Sequence, residues 1–135
     1  MYQQVAGLLA RISLDSGGIF VYFVDMAELL GTFEQLVLLA VVRLDEDAYG
    51  RSVLREMEQN FVRSRSVAAG AVYATLDRLE QKGLLKSKLA EGTPARDGRK
   101  RRFYRLTARG SAALNEAKAT LESGWRACNW PLEVL

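Results

Sequence analysis

Histidine is missing from this sequence altogether, and cysteine occurs only once, as Cys128. Without histidine the chain lacks the commonest general base, the histidine-activated serine and cysteine nucleophiles, and the side chain found in most transition-metal sites. We therefore expect no enzymatic activity, no cofactor and no metal. A lone cysteine forms no disulfide within the chain, which agrees with a reducing compartment, and on an apolar helix face it more often packs than senses redox state.

Long hydrophobic runs are missing as well. The apolar run from Ile19 to Val24 ends at Asp25 and is far shorter than the roughly 20 residues that span a bilayer. The N-terminus also lacks the basic start and cleavage site of a secretory signal. We expect a cytoplasmic protein with no membrane partner. Proline and glycine are too scarce to indicate disorder, and 135 residues suit one compact domain.

Positive charge is concentrated in one segment. The chain has a net charge of +3, yet the stretch between Pro94 and Gly110 holds the single acid Asp97 among seven basic residues. These are Arg96, Arg99, Lys100, Arg101, Arg102, Arg105 and Arg109. Such asymmetry in a small protein indicates a local surface for a polyanion, and the alternative is a solvated loop that is merely basic.

The first 25 residues show no motif, and Ser16, Gly17 and Gly18 would interrupt a helix there. This N-terminal extension is either an extra helix with a short apolar piece or an upstream start, and both alternatives stay open. A domain begins naturally at Met26. We expect it to cover residues 26–107 and to be followed by a C-terminal dimerisation helix at residues 108–135.

Apolar spacing predicts two helices at the start of this domain. Thr32 and Gln35 have the spacing of a capping box, and apolar residues follow at helical intervals until about Leu44. An acidic turn and Tyr49-Gly50 then lead into a second helix. Its apolar positions recur at three and four residues: Val53, Leu54, Met57 and Phe61.

A third helix, a hairpin and a fourth helix follow. The third helix is predicted for residues 69–82, with Gly83 as its C-terminal cap. Strands at residues 84–89 and 101–107 enclose turn-forming residues and a basic tip. Thr107 is placed to cap the last helix, which Pro131 ends. The predicted fold is mainly α with a small β-hairpin, a winged helix-turn-helix plus a C-terminal helix.

The third helix has the features of a DNA-contacting helix. On a helical wheel Val72, Leu76 and Leu79 face the core, and the opposite face begins with very small residues. Small side chains let the first turn approach base edges in a major groove about 12 Å wide, and free N–H groups there favour phosphate. Tyr73 would bond a phosphate or stack on a sugar. The alternative is that Tyr73 only packs and the alanines only favour helix.

Basic residues before the helix and in the hairpin supply charges for the phosphates of double-stranded DNA. Arg78 is the best candidate for contacting a guanine, although it lies late in the helix. The predicted DNA-binding residues are Arg63, Arg65, Ser66, Gly70, Ala71, Tyr73, Ala74, Arg78, Arg96, Arg99, Lys100, Arg101 and Arg102.

Four blocks of the sequence, in order, resemble the PadR family of transcriptional regulators. They are LGTFEQLVLLAVVRL from Leu30, DAYG from Asp47, GAVYATLDRLEQKGLL from Gly70 and RRFYRLTARG from Arg101. The resemblance implies a dimeric DNA-binding protein, usually a repressor. It implies that the third helix and the wing contact the operator, that Tyr73 is the tyrosine of the recognition helix, and that residues 99–102 form the basic wing.

The chain departs from that family pattern at two places. Ala68 replaces the serine with which many members cap the recognition helix. Only about one helix follows Thr107, whereas members with a larger C-terminal domain have room for a ligand. A small-molecule effector is therefore left open without support.

The last helix carries an apolar stripe that so small a domain cannot cover alone, which predicts a homodimer with its two reading helices about one DNA turn apart. The predicted interface residues are Leu114, Ala117, Leu121, Trp125 and Cys128. Trp125 and Trp130 are interpreted as packing anchors, the alternative being a pocket for flat apolar ligands.

The expected function is sequence-specific binding of a near-palindromic operator by a repressor. The alternative is a winged-helix module whose basic wing meets an acidic protein partner.

Overall fold

The computed structural model of the chain describes residues 29–62, 66–91, 99–128 and 131–133. Within these ranges four α-helices and two strands follow one another as α1 (Thr32–Leu44), α2 (Gly50–Glu56), α3 (Ala69–Gln81), β1 (Leu85–Ala90), β2 (Arg101–Leu106) and α4 (Ala108–Ala127). A 3-10 turn at Asp45–Asp47 precedes α2, and a π-helical turn at Met57–Phe61 extends it. This order confirms the predicted winged helix-turn-helix, while the N-terminal extension lies outside the described residues.

The start of α1 differs from the predicted capping box. Thr32 is the first helical residue, and the cap is Gly31, which has no side chain to contribute. The Glu34 carboxylate accepts the N–H of Gly31 at 3.4 Å, while Gln35 Nε2 donates to the carbonyl of Leu30 at 2.8 Å. The Thr32–Gln35 box is therefore wrong by one residue, because Glu34 rather than Gln35 reaches back to the free N–H group.

The core lies where α1, α2 and α3 meet the base of the hairpin. Val72, Leu76 and Leu79 of α3 are completely buried, as their spacing predicts. They pack with buried residues of the other elements, namely Val37, Leu38, Val41, Val53, Met57, Leu85 and Tyr104. Burying these side chains is the main favourable contribution to folding, so α3 is fixed by its inner face while its outer face stays open.

The hairpin is antiparallel, with Leu85 opposite Leu106 and Ala90 opposite Arg101. Its second strand also joins the segment before α2. Tyr49 forms an isolated β-bridge with Phe103, and the N–H of Tyr104 donates to the carbonyl of Ala48 at 2.8 Å. The wing is therefore hydrogen-bonded to the helical part at a point directly before α2.

Thr107 caps α4 as predicted. Its hydroxyl accepts the N–H of Gly110 at 3.0 Å and donates to the carbonyl of Gly83 at 2.6 Å. Gly83 has a φ of 77°, the left-handed conformation that ends α3 and that glycine adopts without strain. The end of α3 and the start of α4 are thus joined through one hydroxyl group. None of the helices within the described ranges has the length and hydrophobicity required to cross a membrane.

Candidate nucleic-acid interface

The outer face of α3 is open and carries small side chains at its beginning. Gly70, Ala71 and Ala74 are all exposed, and a Cβ atom built on Gly70 would have nothing within 4 Å. Ser66, shortly before the helix, is exposed too. This surface has the steric profile that close approach to a groove requires.

Tyr73 is both a packing residue and an exposed one. A Cβ atom on buried Gly50 would lie 2.8 Å from Cδ1 and 2.9 Å from Cζ of the Tyr73 ring, so the ring rests directly on the Gly50 backbone. The side chain is nevertheless 47% exposed. Contact with Gly50 thus fixes the ring while nearly half of the side chain stays exposed, and a DNA contact by Tyr73 stays a prediction.

Arg78 is engaged by an acid from α1. Its Nε lies 3.8 Å from Glu34 Oε2, and its Nη2 donates to Thr75 Oγ1 at 3.4 Å. Lys82 Nζ reaches the same Glu34 oxygen at 3.2 Å. The arrangement ties α1 to the second half of α3 and holds the guanidinium against the protein. A guanine contact by Arg78 stays a prediction, and it would require this pair to open.

The basic side chains of β2 and of the two residues before it are of two kinds. Arg99, Lys100 and Arg102 are exposed, and Arg102 Nη1 donates to Ser87 Oγ of the neighbouring strand at 2.8 Å. Arg101 is only partly exposed, and its guanidinium carbon lies 3.8 Å from the centroid of the Tyr49 ring. Arg63, Arg65 and Arg96 lie outside the described residues, and their contacts with DNA stay predictions.

Burial and charge also affect Tyr104, whose side chain lies between the hairpin and α3. Burial raises the pKa of its hydroxyl above the usual value, and the carboxylates of Asp77 and Glu80 add to the rise. The hydroxyl stays neutral at physiological pH. Tyr104 is therefore a neutral packing group, on the face of the hairpin that also carries the exposed Arg102.

A family model for the "Transcriptional regulator PadR-like family" matches residues 38–116, from the middle of α1 into α4. The chain belongs to this family. Transcriptional regulator Rv3488 of Mycobacterium tuberculosis is 40% identical over 78 residues, which are 58% of this chain and 66%, just under two thirds, of that protein. Among solved structures, the chain is similar to a PadR family transcription regulator from Clostridium difficile R20291, with a TM-score of 0.59 and 25% identity over 73% of this chain and 96% of that one. A PadR family regulator from Eggerthella lenta gives a TM-score of 0.55 and 28% identity over 69% and 77%.

This PadR-like chain has a second open surface, an apolar groove of about 430 Å³ between α1 and α4. Leu39 and Val42 of α1 and Leu121 and Trp125 of α4 line it, each with 42% to 56% of its surface exposed. Leu39 is one of the apolar residues whose spacing predicts α1, but that spacing does not show that it faces outward. Leu39 and Val42 are thus candidate interface residues that the sequence analysis missed.

The residues predicted as the dimer interface fall into two groups, one exposed and one packed in the core of its own chain. Leu121, Trp125 and Cys128 are exposed, and their contact with a second copy stays a prediction. Ala117 is buried in the core of its own chain, and Leu114 packs against that core. Ala117 is therefore removed from the predicted interface, because the first half of α4 already covers α1 and β2. Trp130 lies outside the described residues.

Tyr49 is the functional candidate that sequence reasoning overlooked. The DAYG block drew attention to this segment, but nothing local indicates that its tyrosine meets an arginine of the hairpin more than 50 residues later. The contact depends on how the wing folds back onto the start of α2.

Proposed function

We propose that this regulator is a sequence-specific DNA-binding repressor that acts as a homodimer on a near-palindromic operator. In this proposal α3 enters the major groove and the wing neutralises phosphates. The observation that carries it is the placement of two DNA-compatible surfaces around one dipeptide: Arg101 at the wing contacts Tyr49, and Tyr73 of α3 rests on Gly50. A helix with an open, small-residue start thus lies beside a strand rich in arginine.

The chemistry of the two surfaces suggests how DNA would be recognised. Lys100 and Arg102 offer charge without geometric selectivity, which gives affinity that falls with salt. The start of α3 has backbone N–H groups and few long polar side chains, so its contacts favour phosphate and groove shape. Asp77 and Gln81, both exposed on the same helix, are the long or charged side chains left for base edges besides Arg78.

Dimerisation is supported by the groove between α1 and α4. Its apolar lining is half-exposed beside the other described residues, and large aromatic residues such as Trp125 dominate protein interfaces. A second copy is a suitable occupant because a two-fold axis would let the α4 helices cover each other's grooves. Such a dimer presents two α3 helices to one face of DNA, as a near-palindromic site requires.

The test is to select bound fragments from the genome of the source organism and to measure their binding by mobility shift against random DNA at physiological salt. We expect enriched fragments to share a near-palindromic site and to bind at least 1,000-fold more tightly than random DNA. Equal affinity for selected and random DNA would end the proposal of sequence-specific repression. Capture of an acidic protein by a chain without DNA preference would support the alternative module.

A further inference from the structure

Tyr49 is held firmly at the junction between the wing and α2. Its N–H donates to Ser52 Oγ at 2.9 Å, and its ring meets that of Phe103 edge to face, with centroids 5.6 Å apart and planes at 70°. The guanidinium of Arg101 lies on the same ring. Because Arg101 and Phe103 are two residues apart on β2, their side chains leave the same face of the strand and hold the ring together.

The neighbouring residue contacts the other DNA-facing element. Gly50 lies so close beneath the Tyr73 ring that a Cβ atom there would overlap it. Tyr49 therefore contacts the wing, and the next residue, Gly50, contacts α3. Because one peptide bond joins these two residues, a shift of Tyr49 would also move Gly50, on whose backbone the Tyr73 ring rests.

Arg101 differs from its neighbours in the wing in the burial of part of its guanidinium group. Its Nε is buried, and no hydrogen-bond partner for it exists among the described residues. Leaving a guanidinium N–H dry and unpaired is unfavourable, and stacking on an aromatic ring offsets part of that cost. A residue needed only to neutralise a phosphate would gain nothing from this arrangement, because an exposed lysine supplies the same charge. Arg102 and Lys100 have the exposed character that phosphate contact calls for.

We propose that Arg101 and Tyr49 are positioning residues, which set the wing relative to α3 through the stacked guanidinium and ring, and that Arg101 is not one of the phosphate contacts. The inference rests on the proposed DNA binding and changes the role that sequence reasoning gave to Arg101. On this inference, positioning of the wing requires the planar shape of the Arg101 guanidinium as well as its charge.

Salt dependence separates the two roles. Each phosphate contact that is lost reduces the slope of log K against log salt by about 1. We expect Arg102→Gln, the matched control in the next residue, to reduce the slope by about that amount. Arg101→Gln should lower DNA affinity about tenfold at every salt concentration and leave the slope unchanged, since about 1.4 kcal/mol of stacking corresponds to that factor.

Conservative variants test the stacking itself, with thermal unfolding recorded for each protein. Arg101→Lys keeps the charge but loses the flat guanidinium, so it should bind as weakly as Arg101→Gln. Tyr49→Leu should show the same loss without any change in charge, and Tyr49→Phe should bind like the native chain. The double variant Arg101→Gln with Tyr49→Leu should be no weaker than either single one, because both remove one interaction.

The inference would be overturned if Arg101→Lys bound DNA with native affinity, or if Arg101→Gln reduced the slope of log K against log salt by about 1. Either result would leave the proposed DNA binding intact. If Tyr49→Leu does not fold, the two Arg101 variants decide the matter alone. Failure of the native chain to bind any DNA would instead refute the proposed function, and this inference with it.

Discussion

The ring of Tyr73 lies on the backbone of Gly50, with 2.8 Å between Cδ1 and the position that a Cβ atom on Gly50 would occupy. Any larger residue at position 50 must push the ring away. Because Tyr73 is half-exposed, it has solvent into which to move, and the effect should fall on DNA contact more than on folding.

We expect Gly50→Ala to lower DNA affinity while changing the free energy of unfolding by less than about 1 kcal/mol, since alanine favours the first turn of α2 and partly offsets the displaced ring. With Tyr73→Ala already present, the same change should raise stability by about 0.5 to 1 kcal/mol and leave DNA affinity alone. Chemical denaturation and fluorescence anisotropy measure the two quantities. A loss of affinity from Gly50→Ala that persists without the tyrosine ring would show that Tyr73 is not the cause.

The ion pairs of Glu34 should matter for stability. Its carboxylate joins α1 to Arg78 of α3 and to Lys82 directly after that helix, and it also accepts the N–H of Gly31. We expect Glu34→Gln to lower the free energy of unfolding by about 1 kcal/mol, with a smaller effect at high salt because Arg78 and Lys82 are partly solvated.

The matched control is Glu46→Gln, which removes an exposed pair with Arg105 at 3.7 Å and should change stability by less than about 0.3 kcal/mol. Equal effects of the two substitutions in urea denaturation would show that the Glu34 contacts are no more than surface pairs. An increase in DNA affinity in Glu34→Gln would indicate that Arg78, once released, reaches the DNA.

The hydroxyl of Thr107 should be worth more than an ordinary helix cap, because it bonds Gly110 of α4 and the last carbonyl of the preceding turn at Gly83. Thr107→Val keeps the shape and loses both bonds, so we expect a loss of about 1 to 2 kcal/mol in the free energy of unfolding. Thr107→Ser, which keeps the hydroxyl, should lose less than half as much. If serine were as damaging as valine, the methyl group and not the hydroxyl would carry the effect.

Oligomeric state tests the groove between α1 and α4. Leu121→Asp places a charge on its most exposed apolar residue, and we expect the dimer dissociation constant to rise at least 100-fold in sedimentation equilibrium. Ala119→Asp adds the same charge two residues earlier, about 200° around the exposed helix, and should leave the dimer intact. A native chain that is monomeric at micromolar concentration, or a Leu121→Asp protein as dimeric as the native one, would contradict the assignment.

Local sequence signals predicted the elements and their ends well. Val72, Leu76 and Leu79 have the spacing of a buried face, Gly83 adopts the left-handed cap, and Thr107 caps α4, since each of these features depends on residues within one or two turns. The start of α1 was missed by one residue because Thr32, Glu34 and Gln35 offer competing capping patterns, and only the three-dimensional structure shows which one forms.

The parts that sequence did not predict depend on contacts between distant residues. Arg78 was considered as a guanine contact because nothing local reveals Glu34, 44 residues earlier, as its ion-pair partner. Arg101 was grouped with the other wing cations because its stacking on Tyr49 requires the folded hairpin. Ala117 shares a helical stripe with Leu121, yet the core of its own chain covers it. Periodicity gives the face of a helix but not the neighbour that covers each part of it.

The central claim is that two α3 helices of a symmetric dimer contact DNA with their wings beside them, and hydroxyl-radical footprinting on a genome-selected fragment tests it most directly. Such a dimer should protect two half-sites related by a two-fold axis, with centres about 34 to 36 Å apart along one face of the duplex. Protection should shrink at the outer edges when Lys100 and Arg102 are replaced by glutamine, because these are the proposed wing contacts. A single asymmetric patch, or no protection at concentrations where the protein is a folded dimer, would contradict symmetric binding by two α3 helices.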